Sequence, residues 1–196
     1  MKLFLASQSP RRKELFAQVG LDFEVVDSDY EEQNNFELPP QQLVEMQAVE
    51  KAKAAVLPSN VDDSIVIGAD TIVVLDGNIL GKPIDRNDAK AMLNRLSGKK
   101  HEVMTGVALI QGAQIKSFVI TTEVFFKQLM PTDIEWYLNT GEPFDKAGAY
   151  GIQGKGAVFV RKINGSYSNV VGLPIEYVVT ELNKMDKDCM TASIQK

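Results

Sequence analysis

The sequence predicts an α/β, or mixed α+β, fold with a mixed sheet flanked by helices. Segments with strand-like and helix-like periodicity follow one another without strict alternation. Two predicted hairpins, at Asp76-Gly77 and at Gly112, interrupt any simple succession of parallel strands and crossover helices. The length of 196 residues fits one large domain or two small lobes.

Local signals predict each element in turn. A short buried strand is predicted over 2–6. Ser9 is a good N-cap and Pro10 a good first residue for a helix that stops at Gly20. The run over 65–75, rich in Ile and Val, is the strongest strand signal. Further strands are predicted over 23–26, 78–80, 101–110, 115–127 and 157–163, and further helices over 40–57, 87–96, 131–139 and 174–184.

Two stretches are predicted as connections without regular structure. The segment 28–38 is polar and acidic, and the segment 148–156 is rich in glycine. No internal repeat and no linker composition divides the chain. We therefore expect a single domain over 1–186, followed by a loose C-terminal tail over 187–196.

The charge balance excludes one broad class of partner. Acidic residues number 26 and basic residues 21, for a net charge of −5. A net-negative surface repels the nucleic-acid backbone, so no general nucleic-acid partner is expected. The net charge does not exclude a small polyphosphate ligand, because such a ligand responds to the local charge of its binding site rather than to the net charge of the protein.

Cysteine usage and hydropathy predict a cytoplasmic protein with no membrane partner. Cys189 is the only cysteine, which excludes an internal disulfide and suits a reducing compartment. The N-terminal apolar run, 3–6, is shorter than the roughly 7–15 residues of a signal-peptide core. No stretch approaches the roughly 18 apolar residues that a membrane span needs.

The first chemical signal is the motif Ser7-Gln8-Ser9-Pro10-Arg11-Arg12, where a strand leads into a helix. Backbone N–H groups at a helix start favour an anion, and arginine binds phosphate with paired hydrogen bonds. The plainer interpretation is a capped surface helix whose two arginines are solvated.

Asp70 is the most informative single residue, because it interrupts the apolar strand predicted over 65–75. Burying a carboxylate there is costly unless a metal, a cation or hydrogen-bond donors compensate. An active-site cleft that reaches the strand explains it. The alternative is a structural aspartate satisfied by backbone donors. Gly68 just before it allows close approach of another backbone or a ligand.

The remaining candidates restrict the metal chemistry. Lys51 and Lys82 are weak signals by themselves, although Gly81 and Pro83 constrain the backbone around Lys82. His101 is the only histidine, which argues against a histidine-based triad or a zinc site. Any metal must be held by carboxylates and water, which points to Mg²⁺ or Mn²⁺.

The glycine-dense stretch 141–154 has two interpretations. It is either a plain turn-rich connection or a segment that lets backbone amides and Gln153 approach a planar ligand.

Taken together, these motifs resemble the Maf family of nucleotide pyrophosphatases, also called septum formation proteins. The matching segments run in family order over nearly the whole chain: 5–12, 50–52, 68–71, 81–83, 96–98, 105–107, 145–154 and 171–174. The resemblance implies an elongated mixed sheet and two lobes with a central cleft, similar to the inosine triphosphate pyrophosphatase fold. It also implies a homodimer.

The resemblance also implies roles for individual residues. Asp70 is similar to the family's catalytic base. Glu32 aligns with an acidic residue near the metal, although Glu31 is an alternative, and Asp70 also serves the metal. The implied phosphate and active-site ligands are Ser7, Arg11, Arg12, Lys51 and Lys82.

One branch of the resembling family accepts dTTP and UTP, and another accepts 7-methyl-GTP. The branches differ at positions that correspond here to Arg11, Thr71 and Gln153. The 7-methyl-GTP branch tends to have an aromatic residue in place of Arg11 and a carboxylate in place of Gln153. The resemblance therefore implies hydrolysis of dTTP and UTP, with modified uridine triphosphates also possible, to monophosphate and pyrophosphate. Removal of non-standard nucleotides and an effect on septum formation are both implied roles.

A second hypothesis comes from a different class of protein. The chain could sense nucleotides or bind a division partner without turnover. The presence of Asp70, Lys51 and Lys82 favours an enzyme, because a sensor does not need a base beside a metal.

Overall fold

A mixed sheet organises the computed structural model, which describes residues 2–31, 38–58 and 63–185. Within these residues the sheet has seven strands. They are β1 (Lys2–Ala6), β2 (Glu24–Val25), β3 (Ser64–Leu75), β4 (Asn78–Leu80), β5 (Lys100–Gln111), β6 (Gln114–Phe126) and β7 (Val160–Asn164). The helices are α1 (Pro10–Gln18), α2 (Pro40–Lys53), α3 (Arg86–Leu96), α4 (Pro131–Leu138), α5 (Tyr167–Val171) and α6 (Ile175–Met185). The predicted mixed sheet flanked by helices is confirmed.

The two edges of β3 are paired very differently. The strand order is β2-β1-β3-β5-β6-β7, with β4 also pairing with β3. Along one edge, β5 runs antiparallel to β3 over residues 66–74. Along the other, β1 pairs in parallel with 64–68 and β4 pairs antiparallel with 73–75. Residues 69–72 therefore have no strand beside them on this edge within the described residues, and the sheet is open there.

Two apolar cores lie on one face of the sheet, at opposite ends of β3. Because successive strand residues point to opposite faces, odd-numbered residues of β3 share a face. Ile65 and Ile67 belong to a core completed by α1 and α6. Val73 and Leu75 belong to a core completed by α3 and α4. These two cores form the two predicted lobes.

Helix α2 covers the opposite face and lies unusually close to it. Its Val44, Ala48 and Ala52 are buried against even-numbered strand residues. At Gly68, an added Cβ would lie 2.7 Å from the backbone nitrogen of Ala52 and would also strike the carbonyl oxygen of Ala48. At Gly106, an added Cβ would lie 2.6 Å from the carbonyl carbon of Val44. The close approach predicted at Gly68 is thus an approach of helix backbone.

Helix α2 is shorter than predicted, ending at Lys53 rather than at 57. The backbone N–H of Asp29 donates to Ala54 O at 3.1 Å, and that of Val56 donates to Asp27 O at 2.9 Å. Residues 54–56 therefore pair with the chain that follows β2, a long-range contact that helical periodicity does not reveal.

The C-terminal half differs from the prediction in two places. Strand β7 begins at Val160, because the preceding 155–159 form a 3-10 turn that places Phe159 in a core. Helix α5 was not predicted, since five residues are too few to show a helical period. Its signal was Ser166, whose hydroxyl caps the helix by accepting from the N–H of Asn169.

Ser9 occupies the predicted N-cap position of α1, but its side chain makes no capping hydrogen bond. Among the residues that the structure describes, no helix has both the length and the apolar composition needed to cross a membrane.

We expect Gly68→Ala to lower the free energy of unfolding by about 1–3 kcal/mol, the usual range for overpacking a filled site. The new methyl group must displace the backbone of α2. Chemical denaturation of both proteins measures the change. Gly81→Ala is the matched control, because its Cβ would enter open space. Equal stability of the wild type and Gly68→Ala would show that α2 does not depend on the bare glycine.

Candidate active site

A cleft of about 770 Å³ opens between the two lobes, beside the unpaired stretch of β3. This volume falls in the range of small-molecule sites, which is roughly 300–1,000 Å³. All predicted site residues that the structure describes line it: Ser7, Arg11, Arg12, Lys51, Asp70, Thr71, Lys82 and Gln153. Glu32 lies outside the described residues, and Glu31 is not part of the lining.

Asp70 and Lys51 form a close ion pair in this cleft. Lys51 Nζ lies 2.6 Å from Asp70 Oδ1, and their side chains are only 13% and 8% exposed. Lys51 extends from α2, so the close packing at Gly68 is what brings the ammonium to β3. The compensating donor for Asp70 is thus a side-chain cation rather than the backbone. Asp70 Oδ2 has no hydrogen-bond donor among the described residues.

Arg12 is held by three parts of the fold at once. Its Nε donates to Gly172 O at 2.7 Å. One terminal nitrogen donates to Ser7 Oγ at 3.1 Å, and the other to Thr71 Oγ1 at 3.0 Å. The guanidinium is thereby oriented at the wall of the cleft. Thr71 Oγ1, a predicted base-specificity position, thus accepts a hydrogen bond from Arg12.

Arg11 joins the two lobes across the cleft. Its guanidinium lies 3.3 Å from Asp145 Oδ2, while Asp145 Oδ1 accepts from Lys146 Nζ at 2.6 Å. Partial burial alone would raise the pKa of Asp145. The hydrogen bonds and charges of Lys146 and Arg11 outweigh burial, so the pKa of Asp145 lies below its ordinary value. Asp145 therefore stays anionic near neutral pH and balances both cations.

The second lobe contributes Lys82 and Gln153, both exposed in the cleft. Lys82 follows β4, and its neighbour Gly81 accepts a backbone hydrogen bond from Gly148 N at 3.0 Å. This bond joins the Lys82 turn to the glycine-rich segment 148–156, which includes Gln153. The interpretation of that segment as part of a ligand site gains support from its place in the cleft.

The solitary histidine is buried beneath the glycine-rich segment. His101 Nε2 lies 2.7 Å from the hydroxyl of Tyr150, which itself lines the cleft. Burial lowers the pKa of His101 to about 4, so the ring is neutral near pH 7. Burial likewise raises the pKa of Tyr150 well above its ordinary value. These two groups brace the segment and hold no charge.

The donor set suits a hard divalent cation. Among the described residues no three His, Cys, Asp or Glu side chains converge as a complete metal cage. Mg²⁺ is commonly bound through one or two carboxylates, with substrate phosphates and water completing its shell. Asp70, whose Oδ2 accepts no hydrogen bond from the residues that the structure describes, fits that mode of binding.

Sequence reasoning missed some residues that shape the cleft. Gln47 is 4% exposed and lines it, four residues before Lys51. That spacing places both residues on one face of α2, so helical periodicity could have identified Gln47 as a neighbour of Lys51. The link between Thr71 and Thr105, with hydroxyl oxygens 3.0 Å apart, had no local signal because it depends on strand register.

Similarity to a solved structure extends over the whole fold. The Staphylococcus aureus Ham1 protein matches with a TM-score of 0.52, covering 95% of this chain and 100% of that chain. The sequences are only 16% identical, so the match shows a shared fold and nothing more about chemistry.

Several other proteins are much more similar to this chain in sequence than the Ham1 protein is. A Bacillus cereus protein named dTTP/UTP pyrophosphatase is 49% identical over 187 residues, covering 95% of this chain and 97% of its own. A Bacillus cytotoxicus protein of the same name is 51% identical, with 94% and 96% covered. A third, from Halalkalibacterium halodurans, is 50% identical, with 92% and 94% covered.

The family model for Maf-like proteins matches residues 2–185, which includes every lobe, strand and helix that builds the cleft. The chain therefore belongs to the Maf-like protein family.

Proposed function

We propose that this chain hydrolyses nucleoside triphosphates, preferentially dTTP and UTP, to the monophosphate and pyrophosphate. The observation that carries the proposal is the Asp70–Lys51 pair, held at 2.6 Å inside a cationic cleft. Relatives about half identical over nearly their full length are named dTTP/UTP pyrophosphatase, which supports the same assignment.

The cleft is suited to a polyphosphate despite the net charge of −5. Arg11, Arg12, Lys51 and Lys82 bring cations to it from both lobes. Residues 9–12, at the N-terminus of α1, also line it. Exposed amide hydrogens at a helix start favour an anion. Together these groups stabilise the negative charge that shifts to the leaving pyrophosphate.

Asp70 acts as the general base in this proposal. It accepts a proton from a water molecule, whose oxygen attacks the α-phosphorus. The bond from the α-phosphorus to the bridging oxygen breaks, and its electron pair leaves with pyrophosphate. Lys51 donates to Oδ1 and so holds the carboxylate in place, which leaves Oδ2 as the oxygen that takes up the proton in this proposal.

The cofactor in this proposal is Mg²⁺ or Mn²⁺, held by Asp70 with Glu32 as the second carboxylate. A bound divalent cation supplies charge neutralisation at the phosphate oxygens. Lys51, Arg11 and Arg12 would bind the phosphates of the substrate in the cleft.

Gln153 provides the basis for pyrimidine preference. Uracil and thymine present an N–H donor beside carbonyl acceptors. The amide of Gln153 offers both a donor and an acceptor, whereas a carboxylate only accepts. Gln153 is exposed in the cleft, and Arg11 and Thr71 complete the specificity set in the proposal.

A homodimer and a cytoplasmic location also remain part of the proposal, on the family resemblance and the cysteine usage. Analytical ultracentrifugation and cell fractionation measure them directly.

We expect Asp70→Asn to lower kcat by about 10²–10⁴-fold, the usual contribution of a general base, while nucleotide affinity is largely kept. The amide keeps the shape of the carboxylate but does not take up a proton. Pyrophosphate release from dTTP measures kcat. Asp76→Asn is the matched control, because Asp76 lies in the exposed β3–β4 turn. A near-normal kcat in Asp70→Asn would eliminate Asp70 as the base.

Activity should vanish in EDTA and return with excess Mg²⁺ or Mn²⁺. Oxygen donors and phosphates bind these hard cations, and no thiolate or imidazole of the described residues lies ready to hold zinc in the cleft. Turnover of dTTP is measured before chelation, after it and after the metal is restored. Full activity in metal-free buffer would contradict the proposed cofactor.

We expect Gln153→Glu to lower kcat/KM for dTTP and UTP sharply. A missing hydrogen-bond partner in a site built to bind it costs up to about 10⁴–10⁵-fold. The measurement compares kcat/KM for dTTP, UTP, CTP and 7-methyl-GTP in both proteins, with Gln114→Glu, at the exposed start of β6, as the matched control. An equal loss on every nucleotide would mean that Gln153 only braces its loop. A wild-type preference for 7-methyl-GTP would overturn the pyrimidine assignment.

A further inference from the structure

We propose that Thr105 and Asn169 are positioning residues that hold Arg12 in the cleft through a one-way relay of hydrogen bonds. Neither residue lines the cleft. Both side chains are fully buried, at 0% exposure. Buried polar groups are nearly always hydrogen-bonded, so the bonds that these two residues make show what they hold in place. Because Arg12 matters to turnover only as a substrate ligand, this inference rests on the proposed function.

The direction of the relay follows from counting protons. Thr105 Oγ1 lies 3.1 Å from the backbone oxygen of Asn169, which accepts hydrogen bonds and never donates them. The single hydroxyl proton of Thr105 is therefore committed to Asn169 O. In the 3.0 Å contact between Thr71 Oγ1 and Thr105 Oγ1, Thr71 must then be the donor. Thr71 Oγ1 is left as an acceptor, and Arg12 donates to it at 3.0 Å.

The sheet register brings the two hydroxyls together. Thr71 on β3 lies directly opposite Thr105 on β5. Directly opposite residues of an antiparallel pair place their side chains on the same face, close enough to interact. The orientation of Arg12 therefore depends on the position of β5, through the hydroxyl group of Thr71.

The far end of the relay is anchored in the sheet. Asn169 Nδ2 donates to Val103 O and to Thr122 Oγ1, both at 3.0 Å. The proton of Thr122 goes to Ser166 O, so Thr122 must accept from Asn169, and this determines which side of the amide faces it. These bonds attach α5 to β5 and β6.

Helix α5 supplies a second anchor to the same guanidinium. Its C-cap, Gly172, accepts from Arg12 Nε at 2.7 Å. Gly172 has φ of 125°, a backbone conformation that suits glycine. Helix α5 and its C-cap residue thus present two carbonyl oxygens, Asn169 O and Gly172 O. Gly172 O accepts from Arg12 directly, and Asn169 O acts on it through Thr105 and Thr71.

Removing the Thr105 hydroxyl has a specific consequence. The remaining acceptor for the Thr71 proton is Gly172 O, 3.4 Å away, which already accepts from Arg12. Thr71 and Arg12 then compete for one carbonyl, and the guanidinium loses its fixed orientation. The loss falls on substrate binding and turnover rather than on the fold alone.

The test is Thr105→Val, which keeps the shape of the side chain and removes the hydroxyl. We expect kcat/KM for dTTP to fall about 10-fold, the effect of one hydrogen bond of about 1.4 kcal/mol. Thr105→Ser should restore most of it. Thr121→Val, an exposed threonine on neighbouring β6, is the matched control and should change nothing.

A double-mutant cycle separates positioning from general damage. In an Arg12→Lys background, Thr105→Val should cost less than 2-fold in kcat/KM, because the relay has lost the group it positions. The same 10-fold loss in both backgrounds, or no rescue by Thr105→Ser, would overturn the relay. If Thr105→Val fails to fold, Thr105→Ala, which also removes the hydroxyl, serves in its place, with the same expectations in the two backgrounds.

Affinity for a non-hydrolysable α,β-methylene analogue of dTTP, measured by calorimetry, keeps the two proposals distinct. A wild type that binds the analogue without turning over dTTP overturns the hydrolase. The relay is then judged on affinity alone, where the same non-additivity between Thr105 and Arg12 supports it and simple additivity refutes it.

Discussion

Helix α2 reaches Asp70 because two strand positions beneath it carry no side chain. Gly68 and Gly106 let the helix backbone rest on the sheet backbone, at distances that a single methyl group would prevent. Lys51 is carried on that helix, and its ammonium lies 2.6 Å from the carboxylate of β3. Because the pair is largely withdrawn from water, its geometry depends on the helix remaining where the glycines allow it.

The opening in the sheet has an equally simple cause. Strands β1 and β4 pair with the same edge of β3 at its two ends and leave 69–72 between them. The apolar cores form where the edge is covered, so the uncovered stretch becomes the cleft between two lobes. A carboxylate in an otherwise apolar strand is tolerated here, because this is where the sheet meets solvent and cations.

The walls of the cleft are connected through polar contacts that span the molecule. Arg11 reaches Asp145 in the other lobe, and Arg12 is tied through Thr71 to the buried side of β5. His101 remains neutral at its buried position and meets Tyr150 behind the glycine-rich segment. The surface that a triphosphate would contact is therefore determined by the charges and hydrogen bonds of the cleft itself. The net charge of −5 does not describe it.

Much of this protein was determined by the sequence alone. Periodicity and turn residues were sufficient for the mixed sheet, its two hairpins and the long strand that carries Asp70, because these are local properties. The family motifs implied active-site roles for Ser7, Arg12, Lys51 and Asp70, and the structure brings these residues to one cleft. Only the tertiary structure decided that Lys51 is the cation beside Asp70, that Arg12 donates to Thr71, and that the Thr105 hydroxyl lies 3.0 Å from that of Thr71. Those contacts join residues far apart in the chain, and they depend on strand register and helix docking, which local patterns do not encode.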